Sequence, residues 1–139
     1  MLGKIAISLA WLHLVALVAP LAAEHAVEYR FVVLGYLQDA KGLPRPGVRI
    51  ELTREKTGFS YLGETDESGL YVIVARLGDE SLGEALRLRA GDRTIMLAAR
   101  FDPANHALER GARWDFVDGR PVDRSPQFHE TLARFLGGR

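Results

Sequence analysis

Three histidines follow the first two dozen residues, His25, His106 and His129, and an imidazole nitrogen is a common ligand for transition metals. No two of them stand at the spacing by which a helix or hairpin aims a pair at one ion. A metal site would need all three to converge from distant segments, and exposure to solvent is the plainer reading of each. A sharper variant lies at the amino terminus. Cleavage after Ala22 would leave Ala23-Glu24-His25, whose amine, two amide nitrogens and imidazole suit a square-planar copper(II) or nickel(II) ion, whereas cleavage after Ala23 weakens that arrangement. Ser60, Ser68, Ser81 and Ser125 lack a nucleophile elbow or a nearby Ser-x-x-Lys, so nothing activates a hydroxyl for acyl transfer. Asp66-Glu67 and Asp79-Glu80 sit among turn-forming residues and read as solvated turn formers, not as a general acid and base. No catalytic residue and no cofactor is expected, and the chain reads as something other than an enzyme.

One aromatic segment suggests a binding surface. In Arg110-Gly111-Ala112-Arg113-Trp114-Asp115-Phe116 an extended backbone puts Trp114 and Phe116 on one face and Arg113 and Asp115 on the other. With Tyr61, these rings have the chemistry to stack on a sugar, although core packing accounts for most of them. If the segment forms an edge strand with Trp114 exposed, then Trp114, Phe116 and Arg113 mark the contact surface.

Composition narrows the partners. The 139 residues carry 18 basic and 18 acidic side chains, interspersed, so no single-sign field holds nucleic acid or an anionic membrane. There is no cysteine, which removes disulfides, zinc–thiolate sites and thiol nucleophiles together. With 47% hydrophobic residues the chain can offset the entropy of ordering one modest core.

The elements that must position these residues begin after a leader. Lys4 precedes an apolar run from Ile5 to Val18, and Ala19-Pro20-Leu21-Ala22-Ala23 supplies the small residues a signal peptidase accepts. Residues 1–23 are therefore read as a signal peptide cut after Ala23, with a cut after Ala22 or retention as an uncleaved amino-terminal anchor as the alternatives, and with residues 24–120 as a sandwich domain and 121–139 as a tail. The mature chain is expected in the periplasm or outside the cell, with no membrane span once the leader is gone. Val27 to Leu37 reads as a first strand, and Asp39 to Gly47, with two prolines and two glycines, as a turn cluster. Val48, Ile50 and Leu52 alternate with Arg49, Glu51 and Thr53, the pattern of a half-buried strand. Strands are expected at Phe59–Thr65, Leu70–Ala75, around Leu86 and Leu88, at Thr94–Phe101 and near Arg113–Val117, with Asp66-Glu67-Ser68-Gly69 as a tight turn. The connection over 102–111 is expected to hold a helical turn near Ala104–Glu109. Ser125-Pro126 starts a helix whose Phe128, Leu132, Phe135 and Leu136 share a face.

The runs Leu34-Gly35-Tyr36-Leu37-Gln38-Asp39, Gly42-Leu43-Pro44-Arg45-Pro46-Gly47-Val48-Arg49-Ile50-Glu51-Leu52 and Gly63-Glu64-Thr65-Asp66-Glu67-Ser68-Gly69-Leu70-Tyr71-Val72-Ile73 together resemble the carboxypeptidase regulatory-like domain. That resemblance implies a transthyretin-like β-sandwich and an accessory role in exported proteins. Leu77-Gly78-Asp79-Glu80-Ser81 stands where the family usually has a proline–glycine–tyrosine hairpin, and the segment after Phe101 has no counterpart. The expected fold is all-β, a seven-stranded antiparallel transthyretin-like (Ig-like) sandwich with a short C-terminal amphipathic helix. The expected function is that of a non-catalytic exported accessory or interaction module whose partner is another envelope or secreted protein. A periplasmic ligand- or metal-binding protein, with copper the metal in view, is the alternative.

Overall fold

The computed structural model describes residues 26–137; the expected leader and His25 lie outside the described residues. After a 3-10 turn at Val27–Tyr29 come β1 (Arg30–Gln38), β2 (Arg49–Arg54), β3 (Ser60–Glu64) and β4 (Leu70–Arg76). Next are β5 (Ala85–Ala90), β6 (Arg93–Ala98), β7 (Gly111–Val117) and β8 (Arg120–Asp123). A 3-10 turn at Ser125–Gln127 leads into one helix, α1 (Phe128–Gly137). The strands form two four-stranded sheets, ordered β4-β1-β7-β8 and β3-β2-β5-β6.

Alternation decides what lies between them. Phe31, Val33 and Leu37 of β1 meet Ile50 and Leu52 of β2 and Leu86 and Leu88 of β5 in the main core. The intervening residues of β1, Val32 and Leu34, point the other way and are buried by Phe128 and Leu132 of α1. The helix thus closes the outer face of one sheet, as its apolar spacing predicts. Among the described residues no helix is long and apolar enough to cross a membrane.

The turn Asp66–Gly69 forms as its residue types suggest. The Asp66 carboxylate accepts the Ser68 and Leu70 amides at 2.8 and 3.0 Å and the Ser68 hydroxyl at 2.6 Å. Burial disfavours the charge on Asp66, yet these donors outweigh it and hold the carboxyl below its ordinary pKa. Gly69 takes φ 79°, and a Cβ there would lie 2.5 Å from the Leu37 carbonyl oxygen. A different constraint acts at Gly35. There the β1–β7 ladder opens between the pairs Leu34↔Arg113 and Leu37↔Phe116. The Tyr71 hydroxyl donates to the Trp114 carbonyl at 2.6 Å, and the Asp115 carboxylate accepts the Tyr36 amide at 3.1 Å. Side chains have replaced the missing ladder bonds, and a Cβ on Gly35 would meet the Trp114 oxygen at 1.8 Å.

Several expectations are corrected. The sandwich has eight strands, not seven, and one sheet is mixed because β1 runs parallel to β7. The extra strand is β8, folded back by the two-residue turn Asp118-Gly119, in which both φ values are positive (52° and 73°). The boundary expected at residue 120 falls within this strand. The 102–111 connection holds turns but no helical turn near Ala104–Glu109. Ser125 does not cap α1; its hydroxyl instead accepts the Arg113 amide at 3.3 Å.

Candidate functional site

Four strands lie at sheet edges: β3, β4, β6 and β8. The edges of β3 and β4 are joined by the Arg76 amide, which donates to the Tyr61 hydroxyl at 3.2 Å. In β8, Val117↔Arg120 closes the hairpin, so alternation turns Pro121 and Asp123 toward the free edge. Proline has no N–H to offer there, which blunts the edge against a further strand. The edge of β6 has no such guard. Ala90↔Arg93 closes its hairpin with β5, and Leu88↔Ile95 and Leu86↔Leu97 follow in register. The N–H and C=O groups of Thr94, Met96 and Ala98 therefore point away from β5, and no charged residue, proline or glycine interrupts the run from Thr94 to Ala98.

Beside that edge lies a cleft of about 510 Å³, open on the side of the sandwich where β6 faces β7 and β8. Phe31, Leu97, Ala112 and Trp114 supply its apolar lining, and Arg100, Asp123 and Ser125 its polar lining. Met96 stands at its rim, 54% exposed. The cleft exists because β8 pairs with β7 only from Trp114 onward, leaving Gly111–Arg113 without a strand partner on that side. Beyond β8 the backbone continues the contact briefly, the Arg124 amide donating to the Arg113 carbonyl at 2.9 Å. A pocket that sets apolar side chains beside a carboxylate, a hydroxyl and a guanidinium suits a bulky side chain carried on a polar backbone.

The three residues expected to form one surface are separated. Strand β7 lies between β1 and β8, so the condition of an edge strand is not met. Trp114 is half-buried against the core and lines the cleft. Phe116, 2% exposed, belongs to the core. Arg113 points to the opposite face, beneath α1. Its guanidinium makes two bonds to Asp115, at 3.0 and 2.8 Å, and one to the Thr131 hydroxyl at 2.8 Å, and it lies over the Tyr36 ring. Three of its five N–H donors are bonded inside the fold. Burial, with the Asp115 charge adding to it, pushes the nearby Tyr71 hydroxyl well above the usual tyrosine range, keeping it a neutral donor to Trp114.

His129 Nε2 lies 2.8 Å from the Glu109 carbonyl, and His106 Nδ1 is 3.8 Å from a Glu28 carboxylate oxygen. Among the described residues no three His, Asp or Glu groups are placed to hold a metal ion. The convergence that a metal site would have needed is thus not made by His106, His129 and a third described ligand.

Arg110 is a structural residue that sequence reasoning passed over. Its side chain is 1% exposed, bonded to Asp79 at 2.7 Å and to the carbonyls of Glu28, Pro103 and Asn105 at 3.3, 3.3 and 3.0 Å. The guanidinium lies 4.4 Å from the centre of the Phe101 ring. One side chain thereby fixes the connection after β6, which carries Arg100 into the cleft. A lone arginine before a strand gives no hint of this, because its partners combine nearby loop carbonyls with the Asp79 carboxylate and the Glu28 carbonyl, both far away in sequence.

No protein-family model matches the chain, and no curated protein matches it in sequence. Among solved structures it is similar to the dioxygenase domain of a dioxygenase–carbohydrate-binding protein fusion from Streptomyces sp. SirexAA-E. The identity is 18% and the TM-score 0.47, over 67% of this chain and 81% of that one. It is also similar to catechol 1,2-dioxygenase from Acinetobacter sp. ADP1, at 12% identity and a TM-score of 0.41, over 63% of this chain and 44% of that one. A 9R-lipoxygenase from Cyanothece PCC8801 gives 13% and 0.41, over 75% of this chain but 20% of that one. Two of these three are named as dioxygenases, so the expectation that the chain is not an enzyme finds no support among them. At such identities and scores the likeness names neither a reaction nor a residue for this chain.

Proposed function

We propose that the protein is an exported accessory or interaction module of the carboxypeptidase regulatory-like type, acting in the periplasm or outside the cell. It binds another envelope or secreted protein through the side of the sandwich where β6 and the cleft lie. The observation that carries this reading is an unguarded strand edge beside a cleft of mixed apolar and polar lining. Its sandwich is transthyretin-like. In support stand eight strands in two four-stranded sheets with β1 and β7 parallel, and the Thr65-to-Gly69 turn that feeds Leu70 and Tyr71 into the core. Export rests on the sequence of residues 1–23 alone.

The test places a photo-crosslinking residue at Met96, on the β6 edge beside the cleft, or at Leu62, exposed on β3 at the opposite edge of the same sheet, and expresses each in the organism of origin. The reading predicts cross-links to another exported protein from position 96 and few from 62, on a chain whose intact mass shows the leader removed after Ala23. Cross-links mainly from position 62, or a chain retained in the cytoplasm with its leader, would contradict it.

A further inference from the structure

We infer that the partner docks as an extended peptide that adds a fifth strand to the β3-β2-β5-β6 sheet at β6, with a bulky apolar side chain seated in the Trp114 cleft. This rests on the interaction-module reading and specifies its ligand. The free groups on β6 are backbone donors and acceptors at Thr94, Met96 and Ala98, spaced by two residues. A row of that spacing is matched by another extended backbone, and a helix, whose own amides are already paired, cannot satisfy it.

The side chains follow from the pleat. A strand added to β6 turns alternate residues outward, level with Met96, and inward, over the space bounded by Phe31, Leu97, Ala112 and Trp114. A volume of about 510 Å³ accommodates one large aromatic or aliphatic side chain. Arg100 and Asp123 at the rim carry opposite charges, so the pocket is neutral and favours an uncharged residue there. The neighbouring edge does not compete, because Pro121 removes a donor from β8. Affinity then comes from backbone bonds along β6, and selectivity from the one residue in the cleft.

The experiment selects binders to residues 24–139 from a displayed library of random short peptides. One binder is then remade as a series, each member methylated at a single backbone nitrogen. Strand addition predicts an alternating pattern, in which methylation at every second residue weakens binding about tenfold or more and the intervening positions tolerate it. Met96→Pro removes one donor from the free edge without touching the β5 pairing, so the variant should keep its melting temperature and lose the same peptide. An enriched apolar residue, with Trp114 emission shifting on binding, places the inward side chain.

Peptides that bind near Trp114 but tolerate methylation at every position and the Met96→Pro change would overturn strand addition and leave the interaction-module reading standing. Failure to select any peptide, with the protein instead forming a dimer that Met96→Pro dissolves, would overturn the peptide as occupant and assign β6 to a second copy of this chain.

Discussion

Replacing Gly35 with alanine tests the break in the β1–β7 ladder. The added Cβ would lie 1.8 Å from the Trp114 carbonyl oxygen and 2.6 Å from its carbon, both backbone atoms that have no rotamer into which to withdraw. The two strands must therefore part. Overpacking of this kind costs about 1–3 kcal/mol, and a clash with backbone belongs at the upper end. Moving the Trp114 carbonyl also breaks its bond from the Tyr71 hydroxyl, 2.6 Å long. A buried polar group left without its partner adds about 1–3 kcal/mol. The expected loss is about 3–5 kcal/mol, a large part of the ~5–15 kcal/mol that stabilises a domain. Urea unfolding, followed by circular dichroism and Trp114 emission, should show the midpoint falling by about 2 M for a slope of about 2 kcal/mol/M. Tyr71→Phe alone should cost about 1–3 kcal/mol, and less in the Gly35→Ala background, where the bond is already broken. A Gly35→Ala loss under about 1 kcal/mol, or full additivity with Tyr71→Phe, would refute the argument.

Three further outcomes follow from the same structure. Phe128→Ala removes the side chain that covers Val32 and Leu34, and should destabilise the domain by about 3–5 kcal/mol in thermal or urea melts; a much smaller loss would show that α1 is only loosely held. Arg110→Ala frees three backbone carbonyls and should raise hydrogen exchange across residues 99–110 while costing about 3 kcal/mol; unchanged exchange there would contradict its anchoring role. The bond from Arg54 holds the Glu84 carboxyl below its ordinary value of 4.5, so the unfolded chain takes up that proton first as pH falls. The stability it contributes is present above that value and lost below it, and Glu84→Gln should flatten the acid limb of a urea-midpoint-versus-pH curve; an unaltered limb would remove the pair from the account.

Much of the sandwich was legible because period-two alternation is a local signal. Ile50 and Leu52 are fully buried while Arg49 is exposed, and Phe128 and Leu132 lie on one helix face as their spacing requires. Strand β8 was missed because it is short, polar and contains Pro121, although Asp118-Gly119 before it is a strong hairpin signal. The parallel β1–β7 pairing was out of reach, since the partners stand 79 residues apart and alternation carries no direction. The split of Trp114 from Arg113 across β7 was readable, but which face met the core and which met α1 depended on strand order. An open edge on β6 likewise appears only once its neighbours are known.

Amide hydrogen exchange on residues 24–139, free and with a selected peptide bound, tests the central claim most directly. The account predicts that the amides of Thr94, Met96 and Ala98 exchange fast in the free protein and slow on binding, while those of Ile95 and Leu97, already paired to β5, change little. Protection that appears elsewhere and leaves Thr94, Met96 and Ala98 as fast as before would contradict it.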